Sequence, residues 1–89
     1  MYVLVHHQIH DRDSFWAMAR DGTSNLPAGL TLHLSIPARD GSVATCLWEG
    51  ESLEAVRNFV EPLVGKASRN EYSEAENREG VALPSLLSV

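Results

Sequence analysis

Four histidines stand in an 89-residue chain, and three of them, His6, His7 and His10, fall between positions 6 and 10. Imidazole titrates near neutral pH, so it can take up or return a proton, and its neutral form ligates metals. Neighbouring residues of a strand point to opposite faces, so His6 and His7 cannot both serve one ligand from a regular strand. His6 is expected to share a face with His33, and Tyr72 and Glu74, which share a parity, are expected to reach the same region. Imidazole with carboxylate suits nickel, zinc or iron, which makes His6, His33 and Glu74 the candidate ligands of a divalent metal. The same groups could hold the acidic proton of a small organic substrate, or simply hydrogen-bond backbone and partner groups at an interface. A separate candidate pocket joins His7 to Trp16 in the cleft between the first helix and the sheet. Trp48 and Tyr72 complete the candidate ligand-binding set. No HExxH or CxxC spacing is present. Cys46 has nothing beside it in sequence to lower its pKa and reads as a small buried hydrophobe.

These side chains need elements to hold them. Tyr2 to Ile9 is rich in β-branched and aromatic residues and carries apolar groups on both parities, the pattern of a central strand. Asp11 or Asp13 can cap a helix over Ser14 to Arg20, with Phe15, Met18 and Ala19 at helical spacing and Gly22 as a stop. Leu30, Leu32, Leu34 and Ile36 alternate with Thr31, His33 and Ser35, and Asp40-Gly41 supplies the turn into a returning strand, Val43 to Glu49. Ser52 caps a second helix with a stripe of Leu53, Val56, Val60, Leu63 and Ala67, and Pro62 is expected to kink or restart it. Arg69 to Ala75 is a polar-biased edge strand, and Glu71, Glu74, Glu76 and Glu79 read as a solvated acidic edge. The tail, residues 81–89, is apolar and is expected to pack on the sheet or on a partner subunit.

The order strand, helix, strand, strand, helix, strand predicts an α+β, ferredoxin-like βαββαβ fold, with a four-stranded antiparallel sheet and two helices on one face. A hairpin loop of two or four residues places Leu32, Leu34 and Ile36 with Val43, Thr45 and Leu47. That set is expected under the helices. His33 and Ser35 then join Ala44, Cys46 and Trp48 on the open face, with Tyr2, Leu4, His6 and Gln8, while Val3, Val5, His7 and Ile9 face the helices. An indole on an open sheet marks an interface, so a two-fold homodimer is expected to cover it.

The phrases MYVLVHH, TCLWEGESLEAVRNFVEPLVGK and NEYSEAENREGVALP resemble short bacterial members of the dimeric α/β-barrel superfamily, a subgroup similar to a small nickel-binding protein of that fold. The resemblance implies a homodimer whose sheets form a shared barrel. Its edge strand, EYSEAEN, is more polar than the superfamily pattern. The superfamily includes cofactor-independent monooxygenases, haem-degrading enzymes, chlorite dismutase relatives and proteins without known activity, and fold alone does not choose among them.

At 9.8 kDa the chain supports one domain, residues 1–89, with a single modest core. A net charge of −5 with scattered basic residues argues against nucleic-acid partners. The lone Cys46 excludes an internal disulfide and fits a reducing compartment. The first residues lack the features of a signal peptide, and no apolar run approaches membrane-spanning length, so a cytoplasmic protein without membrane contact is expected. Two functions remain in view. One is a homodimer that binds a small molecule or a divalent metal such as nickel. The other is a cofactor-independent monooxygenase-like enzyme for a small aromatic or enolisable substrate, with His7 or His33 as proton acceptor and Trp48 or Trp16 as aromatic wall.

Overall fold

A computed structural model describes residues 1–76; the apolar tail 81–89 and Glu79 lie outside the described residues. Six elements follow the expected order: β1 (Tyr2–Ile9), α1 (Arg12–Thr23), β2 (Thr31–Pro37), β3 (Val43–Glu49), α2 (Leu53–Val64) and β4 (Ser68–Ala75). They form one antiparallel sheet of order β2-β3-β1-β4, so β1 and β3 are central and the ferredoxin-like architecture is in place. None of the described helices is long and apolar enough to cross a membrane.

Local chemistry explains the boundaries. Asp11 caps α1 by accepting a hydrogen bond from the Ser14 amide at 3.3 Å, and Ser52 caps α2 by accepting from the Ala55 amide at 3.1 Å. Between β2 and β3, the Gly41 amide donates to the Ala38 carbonyl at 3.0 Å, and Gly41 takes a φ of 75°, which a glycine adopts without strain. Asp40 accepts from the amide and hydroxyl of Ser42 at 2.9 and 2.6 Å, bonds that hold its carboxyl below the usual range. Arg12 then donates to the Asp40 carbonyl at 2.8 Å and ties the start of α1 to this turn.

Two helical expectations give way. Gly22 does not stop α1; it lies inside the helix, where a β-carbon would meet the Leu63 methyls at 2.5 and 2.6 Å, so its role is to let α1 and α2 approach. Pro62 does not restart α2. It sits in the last turn of one continuous helix, where its missing N–H removes the bond to the Asn58 carbonyl without ending the helix.

The register corrects the assignment of sheet faces. Val3 pairs with Trp48, Val5 with Cys46 and His7 with Ala44, so these residues share the face that the helices cover. Trp48 is only 3% exposed and packs against Phe59 of α2 at 5.7 Å between ring centroids. Leu34 pairs with Leu47 and Ile36 with Thr45 on the open face. The predicted pairings of Leu34 and Ile36 hold, but the helices cover the other side. Alternation alone reports two faces without saying which one the helices bury. A bulge between Leu32 and Leu34, at His33, moves Leu32 to the helix side, opposite Trp48. The core beneath the helices comprises Val3, Val5, Ile9, Phe15, Ala44, Cys46, Trp48, Val56, Val60, Val64 and Ala67. With the indole inside it, the ring gives no reason for a second copy to cover the open face.

Candidate binding cavity between the helices and the sheet

Three of the four predicted ligand-binding residues come together. His7, Trp16 and Trp48 line a cavity of about 200 Å³ between the helices and the sheet. Its walls are mostly apolar: Phe15 and Ala19 from α1, Leu32 from β2, and Val60, Leu63 and Val64 from α2. Arg20 and Ser35 are exposed and mark an opening between α1 and β2. The volume is below the roughly 300 Å³ at which drug-sized sites begin, so it suits an occupant of one or two rings.

A buried indole and a buried imidazole belong to these walls. The indole N–H of Trp48 is buried and has no hydrogen-bond partner among the described residues. A buried donor without a partner costs about 1–3 kcal/mol. His7 is 3% exposed and stacks edge-to-face on Phe15 at 5.0 Å, while Phe15 meets Trp16 at 4.8 Å. Burial lowers the His7 pKa below 6.5, assisted by the nearby His6 and opposed by Asn70 and Glu61, so the ring is neutral at pH 7.

A polar chain anchors this imidazole from behind. His7 Nδ1 bonds Asn70 Oδ1 at 2.5 Å, Ser68 Oγ donates to the same oxygen at 2.7 Å, and Asn70 Nδ2 donates to Glu61 Oε1 at 2.8 Å. Tyr72, the fourth predicted ligand-binding residue, stands apart from the cavity walls; its hydroxyl donates to Glu61 Oε1 at 2.7 Å. Burial, reinforced by that bond and by the Glu61 charge, pushes its pKa well above the ordinary phenol range. Asn70 and Glu61 escaped the sequence reading. The available signal was the common parity of Ser68, Asn70 and Tyr72 on β4, which faces polar groups toward α2.

The predicted metal ligands are placed in three different settings. His6 bonds Thr45 Oγ1 through Nδ1 at 3.1 Å on the open face. His33 donates from Nε2 to Glu49 Oε1 at 2.9 Å and lies edge-on to Tyr2, at 6.2 Å between centroids. Thr45 and Glu49 are four residues apart on β3, about 13 Å along a strand. Glu74 pairs with Val3 across β4 and β1 and is exposed. Among the described residues, no three His, Cys, Asp or Glu side chains gather where one ion could hold them. Cys46 bonds Ser35 Oγ at 3.5 Å, and burial raises its pKa, which leaves it a weakly nucleophilic thiol.

The chemical capacity of the cavity is therefore to enclose a small apolar body beside a neutral imidazole. Compared with known proteins, the chain matches no family model, no curated protein and no solved structure.

Proposed function

We propose that this protein binds a small molecule in the cavity between its helices and its sheet. The observation that carries the reading is a mostly apolar cavity of about 200 Å³ lined by His7, Trp16 and Trp48. Small-molecule sites are concave and lined mainly by apolar and aromatic side chains with a few polar groups, and this cavity has that character. The small molecule is preferred to a metal ion because an indole is no metal ligand and the cavity offers a single imidazole. Titration with acetophenone, an apolar ring bearing one acceptor, tests the reading. Shifts in ¹H–¹⁵N spectra should centre on the Trp48 indole and the amides around the cavity; spectra unchanged at saturating probe would overturn it.

A homodimer is proposed here on the strength of an apolar patch on the open face. Leu4, Leu34 and Ile36 are exposed on the open face around the buried Leu47, and Ile36 reaches 61% exposure. An apolar cluster of this kind, on a face that no helix among the described residues covers, favours a two-fold pairing of open faces, the arrangement that the resemblance to dimeric α/β barrels implies.

A second reading, cofactor-independent monooxygenase-like chemistry, is favoured by His7, a neutral imidazole held beside the aromatic pair Phe15 and Trp16. Oxygen uptake with an autoxidisable hydroquinone should then exceed the buffer rate, and the excess should vanish in His7→Phe.

A further inference from the structure

Resting on the small-molecule reading, we infer that the cavity selects an uncharged, ring-sized molecule that carries a hydroxyl, a simple phenol being the type. His7 Nε2 accepts the hydrogen bond from that hydroxyl.

The proton on His7 is placed by its anchor. Glu61 Oε1 accepts from the Tyr72 hydroxyl and faces Asn70, and a carboxylate only accepts, so the Asn70 atom turned toward it must be the nitrogen. That orientation turns Asn70 Oδ1 toward His7 and Ser68, and an amide oxygen also only accepts. His7 Nδ1 must therefore carry the proton. In the neutral ring Nε2 is left with a bare lone pair, and it is an acceptor.

That acceptor is unpartnered but not sealed. The Trp48 nitrogen is the only buried side-chain nitrogen or oxygen among the described residues that is both out of reach of a water molecule and without a partner. His7 Nε2 makes no hydrogen bond among the described residues either, so it must be within reach, and part of the 3% of His7 that stays exposed belongs to it. The space that reaches it is the cavity, since His7 lines the wall. The two ring nitrogens diverge, and Nδ1 is held by Asn70 of β4, a strand that contributes nothing to the lining. Nε2 is thus directed away from β4, toward the side on which β3 and β2 supply Cys46 and Leu32.

The other polar side chains of the lining are engaged or lie at the opening. Thr23 donates to the Ala19 carbonyl at 2.7 Å, Cys46 donates to Ser35 at 3.5 Å, and Arg20 and Ser35 are exposed. Within the apolar walls the group on offer is a lone imidazole acceptor. A carboxylate would set a second acceptor against it, and any ion enclosed there would lose its hydration without a counter-charge. A ring hydroxyl makes the bond that a water would make and adds the burial of its ring beside Phe15 and Trp16.

Calorimetric titration of the wild-type protein and His7→Phe with 4-ethylphenol and ethylbenzene tests the inference, because the two probes differ by the hydroxyl alone. The affinity of the phenol relative to the hydrocarbon should be about fivefold or more higher in the wild type than in the variant, the scale of one hydrogen bond. A measurement on the wild type needs no variant. The ¹⁵N resonance of His7 Nε2 should be that of an unprotonated ring nitrogen, move upfield with 4-ethylphenol, and stay close to its free position with ethylbenzene. 4-Hydroxybenzoate should bind more weakly than 4-ethylphenol. A proton resident on Nε2, a phenol that leaves Nε2 unmoved, or a preference for the benzoate would overturn the hydroxyl inference and leave small-molecule binding standing. No binding by either neutral probe would overturn both.

Discussion

Glu61 of α2 accepts the hydroxyl proton of Tyr72 of β4 at 2.7 Å, and the same carboxylate oxygen accepts from Asn70 at 2.8 Å. One oxygen thus ties a helix to an edge strand and sets the amide that orients His7. Arg57 lies over the Tyr72 ring at 5.4 Å and adds a cation to the junction.

Removing one donor here should cost less than removing the acceptor. Tyr72→Phe gives up a single hydrogen bond, worth about 1 kcal/mol, whereas Glu61→Ala strands two donors in a part-buried setting and should cost about 2–3 kcal/mol. Urea unfolding measures both. Equal costs would mean that water satisfies Asn70 and Tyr72 once the carboxylate is gone.

His7 makes stability depend on pH. Its folded-state pKa lies below the ordinary 6.5 because burial disfavours the charged ring. The unfolded chain therefore binds the proton more readily, and stability falls as pH drops below about 6.5 until the lowered folded value is passed. Unfolding free energies measured between pH 7.5 and roughly pH 5 should show this decline. In His7→Gln the decline should be shallower; an unchanged slope would assign it to other groups.

The element order was legible because it needs only local information. Asp11 and Ser52 cap helices, Asp40-Gly41 turns the hairpin, and the stripe Val56, Val60 and Leu63 marks the buried side of α2. His7, Trp16 and Trp48 were also read as ligand-binding residues, and the fold brings them to one cavity. What could not be read was the side of the hairpin that the helices cover. Both faces of β3 carry apolar groups, Cys46 and Trp48 on one and Leu47 on the other, and all three are buried. The extra residue in β2 was equally hidden, because a bulge at His33 leaves the alternation of types intact while shifting what opposes each side chain. Asn70 and Glu61 meet only through the tertiary contact of α2 with β4, which no spacing along the chain encodes.

The helix crossing gives a packing prediction. Gly22 leaves no space for a β-carbon against Leu63, whose side chain also lines the cavity. Gly22→Val overfills the contact and should destabilise by about 1–3 kcal/mol, as overpacked cores do. Thermal unfolding would register the loss, and a variant as stable as wild type would show that α1 and α2 can separate freely.

The open face sets the association state. Ile36 is its most exposed large apolar side chain, and a charge placed there cannot be buried against a second apolar sheet without a large desolvation cost. Sedimentation of the wild-type chain should give twice 9.8 kDa, and Ile36→Asp should give the single mass with an unchanged circular dichroism spectrum. A wild-type particle of 9.8 kDa would remove the proposed pairing and leave the cavity, which lies within one chain, unaffected.

Trp48 separates the contribution of its volume from that of its unpartnered N–H. Trp48→Ala empties a large part of the core and should cost about 3–5 kcal/mol. Trp48→Phe keeps a ring against Phe59 and Val3 and discards the orphan donor. The apolar atoms lost should destabilise by about 1–2 kcal/mol, and relief of the stranded N–H should return a similar amount. The two nearly cancel, so Trp48→Phe should unfold within about 1 kcal/mol of wild type. Were Trp48→Phe to cost as much as the alanine change, the N–H would already be satisfied in the free protein.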